Sequence, residues 1–328
     1  MKTRELGKTG LQLTEFSFGA AGIGNLYREI PREDAMATLD TAWAGGIRYF
    51  DTAPHYGHGL SERRLGDYLR SKPQADYVIS TKVGRLLKPV PYDQIPDQGF
   101  VNPLPFAQVH DYSYDGIMRS YEDSLQRLGL NSIDILYIHD LETATLGAEA
   151  YAAHFRSFLD GGAKALDQLK SSGAIKAVGL GVNEVPACLA MLDHFPLDGI
   201  LLAGRYSLLD RAAEAELLAR CQALGTSLVI GGVFNSGILA TGAKPGATFN
   251  YTEASPEVMA RVAAMEALVQ AAGVSLAAAA LHFPLALDLT ASVLIGTAKP
   301  SSLQRNIDVF DTVLPDGLLE RLDALAIR

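Results

Sequence analysis

Short apolar runs alternate with longer amphipathic segments along nearly the whole chain. The short runs fall at 15–18, 47–50, 77–81, 133–138, 175–180, 199–202, 226–230 and 292–295. They are β-rich and bounded by turn residues or by a helical pattern, so each reads as a buried strand. Between them the apolar spacing predicts helices at about 32–44, 60–71, 114–128, 150–172, 184–193, 210–224 and 300–310. Pro31 followed by Arg32-Glu33-Asp34 marks a first helical turn with acidic groups at its positive end. A hairpin is expected at the start: Arg4-Glu5-Leu6, a Gly7–Gly10 turn, then Leu11-Gln12-Leu13. Eight strands with intervening helices and no linker predict an α/β protein, a closed (β/α)8 TIM barrel over residues 1–328 as a single domain. Extra helical pieces at 256–286 and 315–326 complete the C-terminal part.

Two segments are too long for simple connections. Residues 83–112 carry five prolines (Pro89, Pro91, Pro96, Pro103, Pro105), and residues 231–255 are rich in Gly, Thr and Asn. Both follow strands and therefore lie on the face where barrels carry their chemistry, so both are expected to wall or cover a site.

Composition narrows the function. Hydrophobic content of 48% with 20% charged residues indicates a well-filled core. A net charge of −9 leaves no basic surface for phosphates and argues against a nucleic-acid partner. Cys188 and Cys221 have no Cys/His metal spacing nearby and read as buried thiols of a reducing compartment, with no metal expected. No secretory h-region and no apolar stretch of spanning length is present, so a cytoplasmic protein without a membrane partner is expected, a monomer or weak homo-oligomer acting on a small molecule.

Ionisable residues close successive runs: Asp51 after Ile47–Phe50, Lys82 after Tyr77–Thr81, and His139 after Ile133–Ile138, with Tyr56 in the loop beyond Asp51. Taken singly, these are a loop cap, a surface lysine, a satisfied histidine and a packing aromatic. Together they outline a proton-transfer site at one end of a barrel. A free tyrosine has a pKa of about 10, and an adjacent ammonium lowers it, which is the part expected of Lys82, with Asp51 as counterion. His139 would orient a substrate oxygen. Such a set moves a proton at an alcohol or carbonyl but no hydride, so a redox cofactor is required. A lysine at a strand end also suits an aldolase Schiff base. A glycosidase would need a second carboxylate beside Asp51 at a neighbouring strand end, and none is evident.

Tyr49-Phe50-Asp51-Thr52-Ala53-Pro54-His55-Tyr56-Gly57 with Ser61-Glu62, then Thr81-Lys82 and Ile138-His139, resembles the signature of the aldo-keto reductases. Leu294-Ile295-Gly296-Thr297-Ala298-Lys299, with Asn306 beyond, resembles that family's cofactor-phosphate segment. The resemblance runs in order from Arg4 to Asn306. It implies a barrel that binds a nicotinamide dinucleotide without a Rossmann domain, with Tyr56 as general acid/base, Asp51, Lys82 and His139 as its catalytic partners, and Tyr56 and His139 against the substrate. Tyr112–Ser120, His139-Asp140, Ala203–Leu209 and Phe234–Leu239 are similar to one branch, which holds aldose 1-dehydrogenases for L-fucose and D-threo-aldoses and pyridoxal 4-dehydrogenase. Those enzymes oxidise a cyclic hemiacetal to a lactone.

The same resemblance implies cofactor contacts at Gly19, Asp51, Asn183, Tyr206, Phe234, Asn235, Ser236, Gly237, Leu239, Gly296, Thr297, Ala298, Lys299, Ser302, Arg305 and Asn306. Asn183 is the choice for the carboxamide, the family's usual glutamine falls on Ala203, and Phe234 replaces a stacking aromatic that falls near Gly231-Gly232. The glycines at 19–24 read either as a flexible turn or as a close approach of backbone to ligand. Ser302 stands where many relatives have an arginine for the 2′-phosphate of NADP, so NAD is expected to be preferred and NADP usable. A non-catalytic channel-associated barrel and a generic aldehyde or ketone reductase are the competing functions.

Overall fold

The computed structural model describes residues 1–250 and 252–328. Its strands, in chain order, are β1 (Thr3–Glu5), β2 (Gln12–Thr14), β3 (Phe16–Gly19), β4 (Tyr49–Asp51), β5 (Val78–Val83), β6 (Arg85–Pro89), β7 (Phe106–His110), β8 (Ile135–His139), β9 (Ala177–Val182), β10 (Gly199–Ala203), β11 (Ser227–Gly231), β12 (Thr248–Phe249), β13 (Thr252–Glu253) and β14 (Thr290–Gly296). Eight of them close a parallel barrel in the order β3-β4-β5-β8-β9-β10-β11-β14. All eight expected strands are present, most beginning and ending a residue or two later than the apolar runs.

The barrel is plugged at one end. β1 and β2 pair as the expected hairpin and carry Leu6, Leu11 and Leu13 under the strands, where they meet Tyr49, Ile135 and Tyr137. A larger apolar layer lies between the barrel and its helices. Both layers are built from side chains alternating along each strand, which is why every strand reads as nearly continuous apolar sequence. With the hairpin at the N-terminal ends, only the C-terminal ends of the strands remain open for a site.

Most helices follow the expected bounds, as at Arg32–Ala44, Tyr114–Leu128 and Pro300–Phe310. Ser113 caps the second of these by accepting from the Gly116 N–H at 3.2 Å. The helix expected at 150–172 is Ala148–Ser157 and Ala163–Ser171, joined by a π turn over Phe158–Gly162. Close packing explains the turn: a Cβ on Gly162 would stand 2.3 Å from the Tyr112 carbonyl. The helix expected at 210–224 is shortened to Leu217–Leu224, because the Arg211 N–H donates to Ile327 O at 2.9 Å and ties that stretch to the C-terminus.

The segment 83–112 is more ordered than its prolines suggest. It folds as the antiparallel hairpin β6–β7, with Pro89 at the end of β6 and the other prolines in the connecting loop. The described part of 231–255 forms a 3₁₀ turn (Asn235–Gly237), one helical turn (Ile238–Thr241) and β12–β13. Among the described residues no single helix is long and apolar enough to cross a membrane.

Candidate active site

The barrel register brings the ionisable residues together. Asp51 ends β4 and pairs with Ser80 of β5, Lys82 lies two residues further along β5 and pairs with Tyr137 of β8, and His139 ends β8 opposite Gly181 of β9. Lys82 is thus one residue inside its strand rather than at its tip. Tyr56 is delivered by the turn after β4. That turn interlocks with the loop after β3: a Cβ on Gly57, at φ +63°, would meet Gly24 O at 2.3 Å. Ser61 Oγ fastens it from behind, donating to Ala20 O at 2.8 Å and bonding Thr52 Oγ1 at 2.8 Å. Glu62 is fully buried and accepts from Thr81 Oγ1 at 2.7 Å and from Arg127. Ser61-Glu62 therefore supports the site without facing it.

Lys82 Nζ donates to Asp51 Oδ2 at 2.5 Å and to Thr52 O at 2.9 Å, and it lies 4.8 Å from the centre of the Tyr56 ring. Asp51 Oδ1 accepts from Ser80 Oγ at 2.7 Å, Ser80 Oγ bonds the Tyr49 hydroxyl at 3.0 Å, and Tyr49 in turn bonds the Tyr137 hydroxyl at 3.0 Å. Burial alone pulls the Lys82 ammonium down, but Asp51 and Tyr56 outweigh it and hold its pKa above the ordinary lysine value. It is a cation at neutral pH.

Tyr56 corrects the expectation of a net-lowered pKa. Burial raises it, Lys82 opposes, and Asp51 and Asp140 add to the rise, so the phenol stands above its ordinary value. Desolvation of a fully buried phenolate exceeds what one ammonium returns. At neutral pH without ligands Tyr56 carries its proton.

His139 is neutral. Burial, then the positive charges of Arg85 and Lys82, push it well below the usual histidine value. Tyr112 donates to the His139 carbonyl at 2.6 Å and fixes the strand end. The Tyr56 and His139 rings meet edge to face at 6.1 Å, and His139 Nδ1 is buried without a partner among the described residues. A phenol, a neutral imidazole and an ammonium around one space can hold an oxygen and move its proton.

Tyr56, Lys82 and His139 line a cavity of about 340 Å³, together with His55, Asp140 and Asn183. Beside it runs a groove of about 550 Å³ lined by Phe234, Ser236, Gly237 and Gly296. Tyr27 lines both. The groove suits a dinucleotide. Among the described residues a Cβ on Gly237 would meet nothing within 4 Å, and one on Gly296 only Gly19 O at 3.4 Å, so the backbone is open there. The helix Pro300–Phe310 starts next to it with no acidic residue in its first turn, with Lys299 and Arg305 exposed and Ser302 and Asn306 half-buried. Such a helix start favours phosphate oxygens.

Among the residues expected at the cofactor, the side chains of Tyr206, Leu239 and Asn235 are buried away from the groove. The Tyr206 ring is buried against Phe283, with ring centres 5.0 Å apart, and Leu239 is fully buried in the core. Asn235 is also buried. Its amide donates to Gly204 O at 3.2 Å and its oxygen accepts from Ser207, so its side chain pins the loops after β10 and β11. Gly19 lies on β3, where a side chain would crowd Leu294, 3.3 Å from its Cγ. The following glycines are not a flexible turn: Gly22–Gly24 form a 3₁₀ turn, and a Cβ on Gly22 would meet the Thr297 backbone at 3.0 Å. Asn183 does line the cavity, with its amide held by Glu142 Oε1 at 3.1 Å and its N–H by Glu142 Oε2 at 2.7 Å. Thr297 Oγ1 accepts from the Lys299 N–H at 3.3 Å, and Ala298 is buried.

The sequence reading missed Arg85, His55, Gln108 and Tyr27. Arg85 and Gln108 sit on β6 and β7, concealed by the proline-rich composition of that segment. His55 was visible inside the Pro54-His55-Tyr56 motif. Burial, then Arg85, pushes it down to about 3, so it too is neutral.

The aldo/keto reductase family profile matches residues 15–327. Pyridoxal 4-dehydrogenase of Microbacterium luteolum is 46% identical, over 95% of this chain and 94% of that one. D-threo-aldose 1-dehydrogenase of a Pseudomonas species is 39% identical with the same coverage. An aldo-keto reductase of Bacillus halodurans in its holo form superposes with a TM-score of 0.79 at 24% identity, covering 100% of this chain and 97% of that one, which shows the shared fold.

Proposed function

The chain belongs to the aldo/keto reductase family, oxidoreductases acting on CH–OH groups with a nicotinamide dinucleotide, and from that premise we propose that it oxidises the cyclic hemiacetal of an aldose such as L-fucose to a lactone. The observation that carries the reading is the convergence of Tyr56, Lys82 and His139 on one cavity that adjoins the open-backbone groove. The dinucleotide, when bound, supplies the hydride acceptor. Phe234, Ser236, Gly237, Gly296, Thr297 and the start of the helix at Pro300 would hold it, and Asn183, which lines the cavity, would meet the carboxamide.

The protein's own residues manage the proton. The anomeric hydroxyl binds between the Tyr56 phenol and the His139 imidazole. Tyr56 Oη accepts the hydroxyl proton as the C–H bond gives up its hydride, and it needs its phenolate for that step. Lys82 supports the phenolate by its charge, and Asp51 keeps Lys82 cationic despite burial. Neutral His139 donates a hydrogen bond to the same oxygen and adds no charge to the site. The walls from Phe100 and Leu201 exclude water from the hydride path.

A second reading is favoured by the 46% identical relative, whose substrate, pyridoxal, also exists as an internal hemiacetal. We assign NAD⁺ as the preferred cofactor on the neutral Ser302. The test is a panel of aldoses, pyridoxal and simple aldehydes with both dinucleotides, followed by nicotinamide absorbance. Turnover of an aldose with NAD⁺ is expected. Reduction of simple aldehydes without any hemiacetal oxidation would overturn the reading in favour of a generic reductase.

A further inference from the structure

The mouth of the barrel holds a buried ion pair that the proton chemistry above does not use. Asp140 directly follows His139 and leaves β8 with φ +47°, in the left-handed region, while its N–H still donates to Gly181 O at 2.9 Å. The side chain lines the cavity, with Oδ2 paired to Arg85 and 3.4 Å from His139 Nε2. Arg85 stands behind the wall as the first residue of β6, and its Nη1 donates to Gln108 Oε1 across the hairpin at 3.0 Å. The two side chains are only 6% and 14% exposed.

This arrangement is unfavourable twice over. A buried ion pair carries a desolvation penalty that apolar residues of similar size avoid, and a non-glycine residue at positive φ is strained. Strain and buried charge of this kind concentrate where a ligand is read. Asp140 Oδ2 is occupied by Arg85. Among the described residues the hydrogen bond and ion pairs of this carboxylate all go to Oδ2, which leaves Oδ1 as the acceptor Asp140 can offer to the cavity it lines.

We propose that Asp140 is a specificity-determining residue whose free carboxylate oxygen accepts a hydrogen bond from a hydroxyl on the carbon next to the reacting hemiacetal carbon, with Arg85 as its positioning residue, so that the substrate is a polyhydroxylated aldose. The inference rests on the hemiacetal reading and chooses within it. Oxygens on neighbouring ring carbons are spaced at about a hydrogen-bond length, so one oxygen on His139 puts the next within reach of Asp140. Pyridoxal offers an ionisable phenol oxygen on that side. As a phenolate it is repelled by the carboxylate, a discrimination built from like charge. Its ring nitrogen lies across the ring from the reacting carbon, away from a group adjacent to His139. Burial raises the Asp140 carboxyl to about 6, with Arg85 and Lys82 lowering it and Glu142 raising it, so the acceptor is ionised at neutral pH.

The full-length chain with NAD⁺ is assayed on L-fucose, 2-deoxy-L-fucose and pyridoxal. The parent should lose about 10- to 100-fold in kcat/KM on the 2-deoxy sugar, mostly through KM, because a charge-assisted hydrogen bond is lost. Pyridoxal should fall below L-fucose. Asp140→Ala should bring the two sugars within about threefold of each other by removing that hydrogen bond, and Asp140→Asn, which keeps a neutral acceptor, should lie between. Because Asp140→Ala strands the Arg85 guanidinium, the Asp140→Ala/Arg85→Leu pair is measured alongside, and the parent's own ratios stand whether or not either variant folds. A parent that treats the two sugars alike or prefers pyridoxal overturns the inference, as does a folded Asp140→Ala with the parent's ratio. A parent inactive on every hemiacetal overturns the proposed function instead, which separates the two failures.

Discussion

Lys82 and Asp51 meet at 2.5 Å with their side chains 2% and 1% exposed, directly beneath the ring of Tyr56. Two charges taken this far from water gain little over a packed apolar pair, yet removing one partner costs about 3–5 kcal/mol. The pair is therefore poorly explained as a stabilising device. It makes sense as the means of keeping a cation next to a phenol that burial otherwise holds protonated.

Lys82→Met should lose most activity and some stability together, and the two effects can be separated. The double variant Lys82→Met/Asp51→Asn should recover much of the roughly 3–5 kcal/mol lost by the single variant, because no charge is left unpaired. It should recover no turnover. In either variant the alkaline limb of residual activity should move to higher pH, since the group that pulls the Tyr56 pKa down is gone. A pH–rate profile identical to the parent's would remove Lys82 from the mechanism.

Tyr56→Phe deletes one oxygen and should reduce kcat by roughly 10²–10⁴-fold, the range for general acid–base groups. Binding of reduced dinucleotide, followed by its fluorescence, should change little, because the groove is lined by other residues. A variant within about threefold of the parent would fall outside that range and end the assignment.

The barrel was legible because parallel strands buried on both faces leave continuous apolar runs, and the end of each run marks the open face. The positions of Asp51, Lys82 and His139 toward the C-terminal ends of their strands were read that way, with Tyr56 in the loop beyond Asp51. The fate of Tyr206, Asn235 and Leu239 was not legible. Asn235 lies between two residues that do line the groove, Phe234 and Ser236, and only the fold of the loops after β10 and β11, with positive φ at Gly204, Asn235 and Ser236, decides which side chain turns inward. The hairpin β6–β7 was hidden for a related reason: its strands are short and bracket a proline-rich loop, so composition pointed to irregular chain. Arg85 went unseen with it. The sign of the Tyr56 shift needed the extent of burial, which no local pattern contains.

The proton balance predicts two limbs. Tyr56 is raised by burial, so the fraction of phenolate, and with it the oxidation rate, should keep rising into the alkaline range. On the acid side Asp140 is held at about 6. As the pH falls through that value its acceptor oxygen takes up a proton, so KM for an aldose should rise below pH 6 and level off above it. His55, at about 3, His110, at about 4, and His139, well below its usual value, do not change charge in that window. A KM that is flat across pH 6, or a rate optimum on the acid side, would contradict these placements.

Gly84 joins β5 to the hairpin at φ +99°, between Lys82 and Arg85, and a Cβ there would stand 2.2 Å from the Tyr112 ring. Gly84→Ala therefore combines backbone strain with a clash on the residue that holds the His139 carbonyl. A loss of at least about 1–3 kcal/mol is expected, read as a lower Tm. An unchanged Tm would show that β6 can shift without penalty.

Cofactor choice depends on the first turn of the helix Pro300–Phe310. Ser302 lies there, half-buried and neutral, and cannot offer the two-pronged contact that a guanidinium makes to a phosphate. Lys299 and Arg305 are exposed nearby, and among the described residues neither forms an ion pair, so both remain free to attract a 2′-phosphate at long range. An exposed, solvated cation contributes less than a positioned fork. NAD⁺ should accordingly be preferred, with NADP⁺ used at a penalty of roughly 1–3 kcal/mol, the scale of one charge-assisted hydrogen bond. Ser302→Arg should narrow that gap by lowering KM for NADP⁺ while leaving kcat with NAD⁺ near the parent's, because Ser302 does not line the proton-transfer cavity. Arg305→Ala and Lys299→Ala should each weaken NADP⁺ slightly and in a salt-dependent way, as expected of screened surface charges. If the parent shows a higher kcat/KM with NADP⁺ than with NAD⁺, one of those two cations grips the 2′-phosphate directly, and the neutral Ser302 does not set the preference.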